Sequence, residues 1–296
     1  MTMFWQGVMP AITTAFDSKL HVDHDFVAKH AAWLIDNGCS GIVALGSLGE
    51  GAALSGPEKL QVLSTIIKAL AGRAPVVAGI SALSTAEAVA FAKGAADAGC
   101  SGLMVLPPYV YLGDWRETKA HVSAILKATP LSCMLYNNPI AYTVDFVPGQ
   151  VKELADEHPN LNAIKESSAD VRRIAALRSL MDKNFSLMVG VDDAIVESIY
   201  MGAVGWVAGL VNAFPKESVT LFNLATQGER VKAFELYRWF LPLLRMDTVP
   251  KFVQLIKLVQ EEVGMGNSRV RPPRLQLEGA ELKAAKQTVA TALNAA

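Results

Sequence analysis

The chain has 296 residues, 51% of them hydrophobic, with 27 basic against 28 acidic side chains and a net charge of −1. That length suits one large domain or two small ones, and a near-neutral balance without charged blocks argues against nucleic-acid or acidic-polymer partners. Three cysteines (Cys39, Cys100, Cys133) lack metal spacing, residues 1–7 lack a secretory pattern and no apolar run spans a bilayer, so a cytoplasmic, non-membrane protein is expected.

Residues 7–14 read as a short buried strand ending in hydroxyls. Asp23 then caps a helix to about Asn37, with Phe26, Val27, His30, Trp33 and Leu34 at helical spacing. Residues 40–45 form an apolar strand, followed by Gly46-Ser47-Leu48-Gly49-Glu50-Gly51, and Pro57 opens the next helix. Further strands are expected at 75–80, 103–106, 131–136, 161–164, 186–189 and 204–207, with Ser84, Asp114 and Asp192 capping the helices between. The strand at 161–164 runs into Lys165, and Ile174, Leu177, Leu180 and Met181 then share a helical face. Residues 37–43, 98–104 and 201–207 resemble one another: a helix-ending glycine, a short turn, a second glycine and an apolar strand.

Eight strands alternating with helices, apolar on both faces, indicate a parallel sheet, and eight units predict a closed (β/α)8 TIM barrel. The alternative, an open doubly wound sheet, is opposed by Gly46-Ser47-Leu48-Gly49, which lacks the closely spaced glycine pair of a dinucleotide turn. After Pro215 only helices are expected, at 217–226, 230–244, 249–263 and 282–293, the third opened by Thr248 with Pro250 in its first turn. The expected division is a barrel with the active site over 1–214 and a C-terminal helical extension over 215–296, serving packing and oligomer surface rather than a lid. Trp206, Trp239 and Phe240 are expected in the core.

Chemistry in such a barrel lies at the carboxyl ends of the strands. Those ends carry Thr13 and Thr14, Ser47, Pro108 and Tyr109, Tyr136 and Asn137, Lys165, Gly190 with Asp192, and Ala208 with Gly209. The five histidines fall in helices or the loops leading into them, which argues against a metal mechanism. A lysine at a buried strand end is costly unless it reaches solvent or a partner such as Glu166, and such lysines often become nucleophilic amines. Lys165 with the Tyr136 phenol suits Schiff-base chemistry on a carbonyl, and the turn at Ser47 and Leu48 can offer N–H groups and a hydroxyl to a carboxylate. Tyr136 as an ordinary strand tyrosine, Ser47 as a simple cap, and Asn137, Asn138 and Asp193 as turn caps remain open. No cofactor or metal is expected.

Gly46-Ser47-Leu48-Gly49-Glu50, Tyr136-Asn137-Asn138-Pro139 and Ile164-Lys165-Glu166, in this order and spacing, resemble the N-acetylneuraminate lyase / dihydrodipicolinate synthase superfamily of class I lyases along essentially the whole chain. The resemblance implies a barrel with a C-terminal helical extension, assembled as a homotetramer (a dimer of dimers). It implies Lys165 as Schiff-base lysine and Tyr136 as proton-transfer phenol, with Ser47 and the Leu48 amide holding the carboxylate and Gly190 and Val207 lining the pocket. Three positions depart from the synthases: Leu48 replaces a relay threonine, Val110 (flanked by Tyr109 and Tyr111) a partner-subunit tyrosine, and Ala141 an arginine that grips a second carboxylate. Gly190-Val191-Asp192-Asp193, residues 205–212 and Val270-Arg271-Pro272-Pro273-Arg274 look instead like the 1-pyrroline-4-hydroxy-2-carboxylate deaminases of the superfamily. The synthase reaction, an aldolase or dehydratase reaction on a 2-keto-3-deoxy sugar acid, and a non-catalytic keto-acid-binding barrel are the alternatives.

Overall fold

In the computed structural model, which describes residues 3–294, the strands are β1 (Gly7–Pro10), β2 (Ile42–Ala44), β3 (Val76–Ile80), β4 (Gly102–Val105), β5 (Ser132–Asn137), β6 (Leu161–Glu166), β7 (Ser186–Val189) and β8 (Gly205–Ala208). They pair in parallel in the order β1-β8-β7-β6-β5-β4-β3-β2. Val43 of β2 bridges Ala11, and its carbonyl accepts from the Ile12 N–H at 2.9 Å, so the chain just beyond β1 closes the ring. The expected (β/α)8 barrel is the fold. Residues 1, 2, 295 and 296 of the expected domain ranges lie outside the described residues.

The barrel helices are α1 (His24–Asp36), α2 (Gly56–Leu70), α3 (Thr85–Asp97), α4 (Trp115–Lys127), α5 (Pro139–Tyr142), α6 (Pro148–Glu157), α7 (Arg172–Leu180) and α8 (Ile195–Tyr200), followed by α9 (Pro215–Thr226), α10 (Arg230–Leu244), α11 (Phe252–Glu262) and α12 (Gly279–Asn294). Side-chain caps set several starts. Asp23 accepts from the Phe26 N–H, Ser84 from Glu87, and Ser55/Glu58 and Asp114/Glu117 form reciprocal capping boxes. α9 packs on β1 and α8, as the eighth helix of the ring would. No described helix is long and apolar enough to cross a membrane.

Several local expectations are corrected. Asp192 does not cap the helix that follows it; its carboxylate turns to the neighbouring strand end. Thr248 does not open α11, which starts at Phe252; its hydroxyl donates to the Arg245 carbonyl at 3.0 Å. Leu180 is 46% exposed, because α7 ends there and its last turn leaves the barrel. Lys165 lies within β6 rather than beyond it.

One buried ion pair ties the C-terminal helices to the barrel mouth. Lys257 of α11 donates to Glu50 Oε1 at 2.6 Å, with both side chains almost fully buried, and Glu50 Oε2 accepts from the Arg271 N–H at 3.0 Å. Burial pushes the Lys257 ammonium below the usual lysine range, and Glu50 opposes that shift.

Candidate active site

Register brings the two expected catalytic side chains together. Tyr136 of β5 pairs with Lys165 of β6, and the lysine Nζ lies 4.4 Å from the phenol ring centroid. Successive strand side chains face opposite ways. Glu166 therefore turns from Lys165 and accepts from Asn137 Nδ2 at 3.0 Å and the Ser168 N–H at 2.7 Å, while burial raises its carboxyl. A Cβ on Gly190 would stand 2.4 Å from Lys165 Cε and 1.9 Å from Ser167 Oγ. Only glycine leaves the lysine its course there.

The Tyr136 hydroxyl accepts from Asn138 Nδ2 at 2.9 Å, and Asn138 Oδ1 caps α5 by accepting from the Ala141 N–H at 3.0 Å. Asn138 is thus both a cap and the clamp on the phenol, whereas Asn137 braces Asp145, Phe146 and Glu166. α5 delivers Tyr142, which sequence reading missed. Its hydroxyl hydrogen-bonds Ser47 Oγ, and its ring lies 5.8 Å edge-on from Tyr136 and 5.6 Å from Tyr109. Burial, then the Tyr136 phenol, push Tyr142 above the usual tyrosine range. A tyrosine six residues after Tyr136, beside Ala141 where the resemblance implies an arginine, was the available signal.

The turn holding Ser47 is bounded by two non-glycine residues in left-handed backbone, Leu45 (φ 66) and Glu50 (φ 53). Such conformations persist where surroundings over-determine them; here the Glu50 side chain is locked by Lys257. Glu50 N–H donates to Ser47 O and Gly51 N–H to Gly46 O, while the Ser47 and Leu48 N–H groups have no acceptor among the described residues. Leu48 and Val207 are 3% and 1% exposed. Ser47, Tyr136, Lys165 and Gly190 are joined by contacts through Tyr142 and the lysine; Leu48 and Val207 make no polar side-chain contact with that group.

The eighth strand end is acidic. Asp192 accepts from Trp206 Nε1 at 3.0 Å, from the Gly209 N–H at 3.1 Å and from the Leu210 N–H at 2.7 Å. Burial raises its carboxyl to about 6 against those donors. Trp206 is thus core, as expected, and also a donor. Asp193 caps no helix with its side chain; its carboxylate is 3.6 Å from Arg245 Nε.

The chain matches the dihydrodipicolinate synthetase family over residues 4–292. It belongs to that family. It is 32% identical over 273 residues to a 4-hydroxy-tetrahydrodipicolinate synthase of Methanocaldococcus jannaschii, covering 92% of this chain and 93% of that one. A synthase of Methanococcus maripaludis is 31% identical over 280 residues, covering 94% and 96%. Among solved structures, a dihydrodipicolinate synthase superposes with a TM-score of 0.92 at 28% identity, covering 97% and 99%. YagE of E. coli K12, a family member solved in complex with pyruvate, superposes with a TM-score of 0.93 at 25% identity, covering 98% and 99%. The chain is therefore a dihydrodipicolinate synthetase family enzyme of the lyase class. At its mouth Leu48 is buried without a hydroxyl, Ala141 offers no cation, and Tyr142 takes the Ser47 hydrogen bond.

Proposed function

We propose that this family member is a Schiff-base deaminase that converts 1-pyrroline-4-hydroxy-2-carboxylate to 2,5-dioxopentanoate and ammonia. In this reading Ser47 and the Leu48 amide hold the substrate carboxylate, and Gly190 and Val207 line a compact pocket. The Lys165 amine adds to the imine carbon C2, and the ring C2–N bond breaks to leave a lysine Schiff base and a free amine on C5. Loss of a C3 proton, carried by Tyr136, gives an enamine that expels the 4-hydroxyl as water. Proton shifts move the double bond to C5, and two waters hydrolyse the C5 imine and the Schiff base. One water enters net, and one ammonia leaves. The observation that carries the reading is Tyr142 turned inward onto Ser47 beside Ala141. This mouth suits one compact substrate better than a second carboxylate that needs a cation. Pyruvate in YagE is consistent with a 2-oxo acid or its imine at such a lysine. The reading includes a cytoplasmic homotetramer without a cofactor, its barrel over 1–214 and its helical extension over 215–296.

The names of the relatives favour a second reading, 4-hydroxy-tetrahydrodipicolinate synthase. One experiment separates the two: ammonia and 2,5-dioxopentanoate release from the imine, run beside an assay for 4-hydroxy-tetrahydrodipicolinate, with Lys165→Ala as control. Release that falls to background in Lys165→Ala is the expected result. A wild type inert to the imine but forming 4-hydroxy-tetrahydrodipicolinate replaces the first reading by the second.

A further inference from the structure

Asp247 lies in the turn after α10, outside the eight strand–helix units, yet its carboxyl reaches back to the end of β8. A Cβ on Gly209 would stand 2.0 Å from Asp247 Oδ1 and 2.7 Å from Oδ2, so glycine is what admits the carboxyl. Asp247 Oδ1 is buried and has no hydrogen-bond partner among the described residues. Among the described residues the other such atom is Ser167 Oγ, two residues from Lys165 and against Gly190. Both orphans therefore sit at carboxyl strand ends of the barrel, Ser167 Oγ beside the lysine and Asp247 Oδ1 against Gly209 after β8. A buried carboxyl oxygen without a donor is destabilising and calls for a functional explanation.

Asp192 and Asp247 flank Gly209 from two sides, Asp192 at its N–H and Asp247 at its α-carbon. Two neighbouring buried carboxyls do not both ionise readily, and the donors decide which one does. Asp192 takes the Trp206, Gly209 and Leu210 N–H groups, which favour its charged form. Asp247 Oδ1 takes none. Burial first, then Asp192, hold the Asp247 carboxyl well above the usual range; Asp193 adds to this and Lys165 opposes it. Arg245 is engaged with Asp193.

The geometry points to Asp247 as the acid that protonates the oxygen on C4 of the substrate held by Lys165. This rests on the Schiff-base reading above. As the enamine collapses, the nitrogen pair reforms C2=N, the C2=C3 pair becomes C3=C4, and the C4–O pair leaves with oxygen. The Asp247 proton turns that oxygen into water, and the resulting carboxylate regains a proton from solvent as product departs. The synthase reading places a hydroxyl on the same carbon, where the same acid serves.

The test is Asp247→Asn with three probes. Borohydride trapping with pyruvate, which needs Lys165 but no leaving group, should match wild type and shows that the variant is folded. With 1-pyrroline-4-hydroxy-2-carboxylate, kcat should fall about 10²- to 10⁴-fold. With the 4-chloro analogue, whose chloride leaves without a proton, the variant should match wild type; a merely structural role would slow both substrates alike. If the variant traps nothing, the wild type decides alone: its kcat should drop at high pH for the hydroxyl substrate and not for the chloro one. Full activity of Asp247→Asn on the hydroxyl substrate, equal losses on both substrates, or matching wild-type pH profiles overturn the assignment and leave the deaminase reading standing. A wild type inert to the imine sinks the deaminase reading. Asp247 is then judged on 4-hydroxy-tetrahydrodipicolinate formation, where an unslowed Asp247→Asn, or an inert wild type, overturns it too.

Discussion

At the scale of single residues, the site depends on what is absent as much as on what is present. Gly190 has no side chain because the lysine and Ser167 already occupy that space. Replacing it with alanine should displace the Lys165 amine by an ångström or so, and misplacement of that order costs about 10²-fold. We expect Gly190→Ala to slow borohydride trapping with pyruvate by about that factor while its circular dichroism stays that of wild type; trapping at the wild-type rate would show that the lysine does not need this clearance. Lys165, Tyr136 and Ser47 were legible because each stands out chemically at a strand end. Tyr142 and Asp247 were not. One sits on a single-turn helix and the other in a turn after α10, and neither place has a periodicity that gives a side chain a direction.

At the scale of elements, the glycine turn after β2 is held from a distance. Its left-handed Glu50 is buried against Lys257 of α11, more than two hundred positions along the chain. Removing one partner of a buried pair leaves an uncompensated charge and typically costs about 3–5 kcal/mol. Glu50→Gln should therefore lower the urea midpoint by an equivalent amount, and the double variant Glu50→Gln/Lys257→Met should recover part of it. A single variant as stable as wild type would mean that the pair contributes nothing net. Asp23, Ser84 and Asp114 cap their helices as read, since a short polar side chain before an apolar run acts locally. Asp192 and Thr248 did not follow this rule: Asp192 turns to the Leu210 N–H, and the turn at Arg245–Asp247 engages Thr248 first.

At the scale of the whole molecule, barrel closure buries a histidine whose charge the fold excludes. His30 of α1 is fully buried with Nε2 2.9 Å from the Asn212 carbonyl oxygen, and burial lowers it to about 4. The unfolded chain takes up that proton near pH 6.5. Between these values the unfolded state binds more protons, so this contribution is fully present above pH 6.5 and is lost as pH falls towards 4. The window carries about 3 kcal/mol. Asp192, raised to about 6, contributes the opposite slope. The comparison is therefore between wild type and His30→Gln: the wild type should lose more melting temperature from pH 7 to pH 5 than the variant. Equal losses would remove His30 from the acid sensitivity of the fold.

The pattern of apolar strands, helix caps and αβ-turn glycines determined the barrel, because strand burial on both faces and capping are local consequences of side-chain chemistry. The motifs around Ser47, Tyr136 and Lys165 likewise determined the family, because strand order alone puts their residues at one end of a closed parallel barrel. Tertiary structure decided how the side chains at the strand ends are arranged. It turned Glu166 away, brought Tyr142 onto Ser47, sent Asp192 to the next strand end and returned Asp247 from beyond α10. Those outcomes depend on which buried donors and acceptors find one another across elements distant in sequence, and no local pattern of residues encodes that pairing.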